Sequence, residues 1–224
     1  MWLIAEYLPT SLFSLRASNA TNAAAKTLLL PSPYCVKMAL LDASYRRDGI
    51  SNTETRFEWI RGLDVRFEVP QHAVVNTCFV KIQKWNGESW GDTFALREYV
   101  FYEGTLKIAF TSKILGEEWR EQLPFLLPHV NQLGKRGCFM QLLGAPEELE
   151  GELPATFAAP IAQGGLRGGV ILQPLDDMKE DASLAKVSNF ALGSVSRKDI
   201  RLNVATGVPY QRRATSRSFS YFSR

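Results

Sequence analysis

The first eight residues are apolar except for Glu6, and apolar and polar positions alternate in several segments between residues 64 and 110. A period of two is typical of β-strands that bury one face. Together these patterns predict strands over residues 2–8, 64–70, 76–85 and 95–110, the last interrupted at Gly104. The segment NGESWGD, residues 86–92, is a turn signal between two of them. The pattern therefore predicts a first strand and, later in the chain, a long hairpin-like meander over residues 76–110.

A helical period follows the small, polar stretch at residues 16–27. Val36, Leu40 and Ala43 recur at helical spacing. The segment PSP, residues 31–33, marks the start, because Ser32 can cap a helix whose first residue is proline. Glycine at position 49 is expected to end this helix. A second helix is predicted at the start of residues 116–134, until its prolines break or kink it, and a strand over 138–143 follows.

The chain changes character after Pro146, where glycine, proline and alanine become frequent. Short strand-like runs follow at residues 169–175, 186–193 and 199–207. The order of elements predicts an α+β fold with two parts. The first is a domain over residues 1–145, and the second is a variable, mostly β and irregular region over residues 146–224 with a basic end.

Composition is that of an ordinary globular protein, with 46% hydrophobic and 22% charged residues in 224 and a mean hydropathy of −0.11. No apolar run approaches the ~18 residues of a membrane helix, and the N-terminus lacks the basic start of a signal peptide. Cys35, Cys78 and Cys138 are too widely spaced for a zinc site or a disulfide framework. We therefore expect a cytoplasmic protein with reduced thiols, no metal, no cofactor and no membrane partner.

The formal net charge of +3 is mild, but its distribution is uneven. Residues 194–224 carry seven cations against one carboxylate, Asp199, and aromatic residues lie among them. Such a segment can follow a phosphate backbone and stack bases. A frayed, solvated tail explains the same composition, and the sequence leaves both interpretations open.

Two glycine-rich segments and one turn are candidates for ligand contact. In LGKRGC, residues 133–138, glycines let the backbone approach a ligand while two adjacent cations suit a phosphate. The alternative is a plain basic turn. AQGGLRGGV, residues 162–170, carries Arg167 and is either a flexible hairpin or a close RNA contact. At residues 81–92, lysines and tryptophans surround a turn and could stack on bases, unless the tryptophans are buried.

No catalytic set emerges from the spacing of the residues. His72 and His129 are the two histidines, and neither lies in a metal-binding HExxH motif. A GxSxG nucleophile motif is also absent. Metal-independent RNA cleavage would need only a base, an acid and a cation, but nothing in the sequence selects them. The sequence therefore leaves enzymatic activity uncertain and favours a protein without it.

The first strand, the polar loop, the segment PSPYCVKMALLDASY, the β-meander and the segment LGKRGCFMQL together resemble the RAMP-fold subunits of CRISPR effectors. The resemblance is greatest to CRISPR-associated protein family five. It implies a ferredoxin-like (RAMP- or RRM-like) domain with a β-hairpin thumb and a variable C-terminal part.

The resemblance also implies a function. Such a protein would be a non-catalytic subunit that caps a Cascade-like (type I) complex, holds the 5′ repeat-derived handle of the guide RNA and serves antiviral defence. Its partners would be the guide RNA, the neighbouring backbone subunit and the large subunit, with target DNA only indirectly. An endoribonuclease that processes precursor CRISPR RNA and a protein-interaction scaffold without RNA remain alternatives.

The predicted RNA-binding residues fall on the loop before the first helix, on that helix, on the hairpin tip and on the two glycine-rich segments. They are Arg16, Lys26, Ser32, Tyr34, Lys37, Arg46, Arg47, Lys84, Trp85, Gly134, Lys135, Arg136, Gly137 and Arg167. We expect the loop before the first helix and the segment around residue 135 to converge on one groove for a ribonucleotide strand.

Overall fold

The computed structural model describes residues 1–17, 26–112, 116–164, 168–188 and 196–224. The strands are β1 Trp2–Pro9, β2 Leu63–Glu68, β3 His72–Trp85, β4 Trp90–Glu103, β5 Leu106–Ser112, β6 Met140–Leu142, β7 Glu147–Leu149, β8 Phe157–Pro160, β9 Ile171–Met178, β10 Arg201–Val208, β11 Gln211–Thr215 and β12 Phe219–Ser223. The α-helices are α1 Pro33–Gly62, α2 Glu118–Leu126, α3 Leu184–Val187 and α4 Arg197–Ile200.

The larger sheet, which we call the body sheet, has the strand order β6-β1-β5-β2-β8-β10-β9, with β7 also paired to β1. All of its neighbouring strands are antiparallel. Four of its strands and two helices follow one another as β1, α1, β2, β5, α2 and β6, with the spatial order β6-β1-β5-β2. This is the ferredoxin-like arrangement. The predicted α+β fold class is confirmed.

A long hairpin interrupts the ferredoxin-like unit between β2 and β5. Its strands, β3 and β4, are 14 residues each and pair in unbroken register from His72↔Glu103 to Trp85↔Trp90. This hairpin is the predicted thumb. On its other side β12 pairs with β3, and β11 pairs with β12, which completes a second sheet in the order β11-β12-β3-β4. We call it the thumb sheet.

The basic C-terminal segment is therefore ordered in its final part. Residues 211–223 form the hairpin of β11 and β12, whose backbone is paired with the thumb. Arg224 is held as well, since its Nη1 atom lies 2.9 Å from Oε1 of Glu68 at the end of β2. The alternative of a frayed tail is wrong for these residues.

Local sequence signals fix both ends of the first half of α1. The Ser32 hydroxyl accepts a hydrogen bond from the Cys35 N–H at 3.2 Å, and proline follows at the first helical position. Gly49 has φ 80° and ψ −176°, which breaks the helix at the predicted residue. A second helical segment then runs to Gly62. Its sequence is mostly polar, and no apolar periodicity predicts it.

The residues after 146 extend the body sheet beyond β2. The predicted strands over 169–175 and 199–207 correspond to β9 and β10, and β8 joins them to β2. The strand expected over 186–193 is wrong in its described part, because α3 ends there at Val187. Residues 189–193 lie outside the described residues. The body sheet thus contains strands from both sides of residue 145.

Candidate nucleic-acid interface

A groove of about 600 Å³ follows the first half of α1. Its walls come from the loop before α1, from the segment before β6, from β9 and β10, and from α3. We call it the α1 groove. Among the residues predicted from the sequence, Arg16, Ser32, Tyr34 and Gly134 line it. The two corners of the chain that were expected to converge do so here.

The approach of the two corners depends on a glycine. Gly134 has φ 78°, which favours glycine, and a Cβ atom at this position would lie 2.5 Å from Cδ2 of Leu15 and 3.1 Å from Sγ of Cys35. The segment before β6 therefore rests directly on both the first loop and the start of α1. Burial, with a contribution from nearby Cys138, raises the pKa of the Cys35 thiol to about 12, although Arg201 opposes this. The thiol is accordingly protonated at neutral pH and is not a nucleophile.

The loop before α1 is anchored at both of its ends. The Leu28 N–H donates to the Leu15 carbonyl at 2.7 Å, and the Leu15 N–H donates to Oγ1 of Thr27 at 3.0 Å. The Thr27 N–H in turn donates to the Glu98 carboxylate on β4 at 2.8 Å. Arg16 and Lys26 lie at these anchored ends and are exposed. The backbone on which the predicted cations sit is thus fixed to the thumb hairpin.

One wall of the groove is formed by an arginine and an aromatic ring. The guanidinium carbon of Arg201, on β10, lies 4.0 Å from the ring centroid of Tyr34, which is a close cation–π contact. Nη1 of Arg201 donates to Oδ2 of Asp176 on β9 at 3.2 Å. The Nε atom of Arg201 is buried and has no hydrogen-bond partner among the residues that the structure describes. Tyr34 is itself buried, so its ring stacks within the protein.

The turn before β6 presents two exposed cations beside the groove. Lys135 and Arg136 are both exposed, and the turn closes with a hydrogen bond from the Cys138 N–H to the Lys135 carbonyl at 3.1 Å. Ser11 holds the same turn, because its hydroxyl donates to the Gly137 carbonyl and accepts from the Phe139 N–H at 2.9 Å. The position of both cations is therefore fixed relative to β1.

Comparisons with known proteins find similarity to CRISPR-associated proteins. No protein-family model matches the chain. A stretch of 98 residues is 31% identical to CRISPR-associated protein Cas5 of Archaeoglobus fulgidus. That match covers 41% of this chain and 43% of the relative, so it spans less than half of the relative's length. A crystal structure of a CRISPR protein from the same organism superimposes with a TM-score of 0.51 at 9% identity, over 99% of this chain and 91% of that one. The resemblance to CRISPR-associated protein family five is confirmed.

Another solved structure, a CRISPR RNA-guided surveillance complex, contains a chain that aligns over 93% of this protein and 88% of its own length. The TM-score of that alignment is 0.43 at 9% identity.

Three cations that were predicted from the family-five resemblance or from their position on α1 have other partners. The prediction for Lys37 is wrong, because its side chain is 2% exposed and its Nζ lies 2.6 Å from Oδ1 of Asp177. Arg46 donates to Asp42 at 2.8 Å and to the His129 carbonyl. Arg47 lies over the ring of Phe125, 5.4 Å from its centroid. The two arginines hold α1 against α2 and the turn after it, and they do not line the groove. Arg167 lies outside the described residues.

The thumb hairpin ends in exposed rings. Trp85 and Trp90 are 54% and 66% exposed, with ring centroids 5.7 Å apart. The alternative of buried tryptophans is wrong here. Lys84 is also exposed. Phe79 and Phe94 lie on the same face of the hairpin as the two tryptophans and are exposed too, so the apolar character of that face continues toward the body.

The place of Arg201 in the groove was not predicted, because the sequence shows it only as one of the cations of the basic end. The signal was the alternation of β10, which puts Arg201 and Asn203 on one face together with Asp176 of β9. The residues described here contain no group of three His, Cys, Asp or Glu side chains that could hold an ion. No described helix has the length and hydrophobicity of a membrane span.

Proposed function

We propose that this protein is a guide-RNA-binding subunit of a CRISPR effector that does not cleave RNA. It would cap a Cascade-like complex and hold the 5′ repeat-derived handle of the guide RNA in the α1 groove. The observation that carries the proposal is the convergence of the first loop and the Gly134 turn on that groove. The relationship to a Cas5 protein supports the same conclusion.

The groove offers the groups that a single strand of RNA requires. Proteins hold such strands with cations, backbone amides and hydrogen-bond donors rather than by reading a groove of the nucleic acid. Lys135 and Arg136 supply exposed positive charge beside the groove, and Arg16 lines it. Arg201 also lines the groove and adds a guanidinium to its wall.

The proposed protein partners are the neighbouring backbone subunit and the large subunit, with target DNA contacted only indirectly and the complex in the cytoplasm. Exposed apolar side chains on the outer side of the body sheet support contact with protein. Leu8, Phe139 and Leu143 are 37%, 50% and 49% exposed and come from paired or adjoining segments of β1 and β6. An apolar patch of this kind often marks a protein interface.

Removing the two exposed cations tests the groove. The variant Lys135→Gln/Arg136→Gln should weaken binding of a labelled repeat RNA. It should also reduce the slope of log K against log salt by about 1.4, since each phosphate contact on a single strand contributes about 0.7. Fluorescence anisotropy over a series of salt concentrations measures both quantities.

A matched control is available on the second half of α1. The variant Ile50→Glu/Thr55→Glu lowers the net charge by the same two units at exposed positions beyond Gly49. It should leave the salt slope unchanged. Equal slopes for the wild type and the Lys135/Arg136 variant would contradict the assignment of these cations to phosphate contacts.

One contact favours cleavage of precursor RNA as a second candidate function. Nδ1 of His72 lies 2.8 Å from the Tyr221 hydroxyl, so a possible acid–base pair is present. Incubating the protein with labelled repeat RNA in the absence of metal separates the two functions. A discrete cut that is lost in His72→Ala would favour the endoribonuclease. The third alternative, a scaffold without RNA, predicts a purified protein whose 260-to-280 nm absorbance ratio shows no nucleic acid.

A further inference from the structure

The outer face of the thumb sheet carries four aromatic side chains that the guide-RNA groove does not use. In the strand register, Val74 of β3 lies between Phe101 of β4 and Tyr221 of β12. Two residues further along β3, Asn76 lies between the remaining two rings, Tyr99 and Phe219. Directly paired residues of antiparallel strands project from the same face of a sheet. The four rings therefore share one face.

The opposite face of the same strands belongs to the protein core. Ala73, Val75, Val100 and Tyr102 alternate with the residues above and are all buried. The outer face, in contrast, is accessible. Phe101 is 50% exposed and Phe219 is 38% exposed. Several exposed aromatic side chains on one face, rather than a single one, indicate a contact surface.

The spacing of the rings suits stacking with successive bases. Strands in a sheet lie about 4.8 Å apart and rise about 3.4 Å per residue, so the rings mark the corners of a rectangle of about 10 by 7 Å. Tyr221 is held in place, since it stacks on His72 with centroids 5.8 Å apart and is hydrogen-bonded to it. Preorganised aromatic side chains on a sheet are the usual platform for single-stranded nucleic acid.

The charge around this face indicates what kind of partner it fits. Residues 211–224 contain four arginines and no carboxylate side chain. Arg213 donates from Nε to the Ser223 hydroxyl at 2.8 Å, which places it at the β11 edge of the face. Arg217 is exposed in the turn that leads into Phe219. Arg224 is paired with Glu68, and Glu103 of β4 shares the outer face opposite His72, so the cations available to a ligand are those of the β11–β12 hairpin. Exposed rings bordered by Arg213 and Arg217 complement the bases and phosphates of a single strand.

We propose that the outer face of the thumb sheet is a second binding surface for single-stranded RNA, separate from the α1 groove. Bases would stack on Phe101 and Phe219, and the arginines of the β11–β12 hairpin would neutralise the phosphates. The proposal does not depend on the identity of the RNA in the α1 groove, because it rests on the register and exposure of different strands.

The experiment uses the full chain and a 4-thiouridine-substituted oligouridylate. Ultraviolet crosslinking followed by mass spectrometry of peptides should give crosslinks at residues 98–103 and 218–222. The variant Phe101→Ala/Phe219→Ala should lose them and bind the oligouridylate about tenfold more weakly or worse, since a stacked base contributes about 1–3 kcal/mol. Phe101 is 50% and Phe219 38% exposed, so the variant should remain folded with at most a modest loss of stability, which its circular dichroism spectrum and melting temperature check.

The same hairpin provides a matched control. Phe79 and Phe94 are 79% and 69% exposed but project from the opposite face, beyond the part that packs on the core. Phe79→Ala/Phe94→Ala should leave the crosslinks at residues 98–103 and 218–222 unchanged. The proposal would be overturned if the wild type gave no such crosslinks, or if Phe101→Ala/Phe219→Ala bound the oligouridylate as tightly as the wild type. Either result would leave a protein partner as the explanation for the exposed rings.

The groove variant keeps the two proposals distinguishable. Lys135→Gln/Arg136→Gln should weaken binding of the repeat RNA but retain crosslinks on the thumb sheet. If this variant binds the repeat RNA normally, the α1 groove has been assigned wrongly. If the thumb-sheet crosslinks are absent, the thumb sheet has been assigned wrongly.

Discussion

The α1 groove and the thumb sheet differ in how they position the groups that face a ligand. In the groove, charged side chains are held by buried partners, as Arg201 is by Tyr34 and Asp176. On the thumb sheet, aromatic side chains such as Phe101 are exposed, and only the β-register sets their spacing. Substitutions around the groove should therefore change stability as well as binding, whereas substitutions on the thumb should change binding alone.

The largest effect should come from the ion pair that joins α1 to β9. Asp177→Ala leaves the ammonium of Lys37, whose side chain is 2% exposed, without its carboxylate. An uncompensated buried charge costs about 3 kcal/mol of unfolding free energy. Urea denaturation followed by tryptophan fluorescence measures the loss.

The reciprocal variant tests the physical reason. Lys37→Met should cost clearly less, because Asp177 is 27% exposed and can be hydrated once its partner is gone. Equal losses for the two variants would show that burial of the ammonium does not dominate.

The next effect should come from the close approach at Gly134. Gly134→Ala places a methyl group against Leu15 and Cys35 in a backbone conformation with φ 78°. We expect a loss of about 2 kcal/mol, composed of strain and the displacement of neighbours. Urea denaturation again provides the measurement.

Gly137→Ala is the matched comparison in the same turn. Its φ of 89° is equally unfavourable for alanine, but no atom lies within 4 Å of the added methyl group. Only the conformational cost of about 1 kcal/mol should remain. A Gly137 variant that is as unstable as the Gly134 variant would show that steric contact is not what makes Gly134 necessary.

The sequence predicted the elements that depend on local signals. Ser32 and Pro33 fix the start of α1 and Gly49 fixes its break, because each acts through its own backbone or cap. The second half of α1 was missed, since Ser44 and Thr53 satisfy each other by a buried hydrogen bond across the break. No periodicity of apolar residues reveals a contact of this kind.

The candidate site was predictable only in part, for a similar reason. The convergence at Gly134 followed from the family resemblance, and exposure of the hairpin tryptophans followed from their polar neighbours. The burial of Lys37 in an ion pair could not be predicted, because its partner Asp177 is 140 residues away in the sequence. The position of Arg201 beside Asp176 likewise depends on the pairing between β9 and β10, which cannot be read from a single sequence.

A smaller effect on stability is expected at the thumb tip. Trp85→Ala/Trp90→Ala removes two side chains that are more than half exposed and contact mainly each other. The free energy of unfolding should fall by about 0.5 kcal/mol or less, as is usual for surface substitutions. Denaturation measured by circular dichroism avoids the loss of the fluorescent residues. A loss as large as that of Gly134→Ala would remove the distinction between the two regions.

A comparably small effect, which disappears at low pH, concerns the contact that joins the two sheets. Glu68 ends β2 in the body sheet and accepts from Arg224, which follows β12 of the thumb sheet, at 2.9 Å. Burial acts to raise the pKa of Glu68, but hydrogen bonds from Thr156 and Arg224 and the charges of Lys107 and Arg224 outweigh it and lower the pKa below its ordinary value of 4.5. A lowered pKa in the folded state stabilises the protein above the unfolded value and loses that contribution as the pH falls through the folded one.

The wild type should therefore exceed Glu68→Gln by about 0.5 kcal/mol at pH 6, the usual magnitude for a partly exposed ion pair. This difference should shrink steadily between pH 5 and pH 3, as Glu68 becomes protonated and resembles the glutamine. Urea denaturation of both proteins at each pH measures it. A difference that stays constant over this range would mean that the carboxylate charge does not fasten the thumb sheet to the body, and that the β-pairing between β12 and β3 holds the basic hairpin without it.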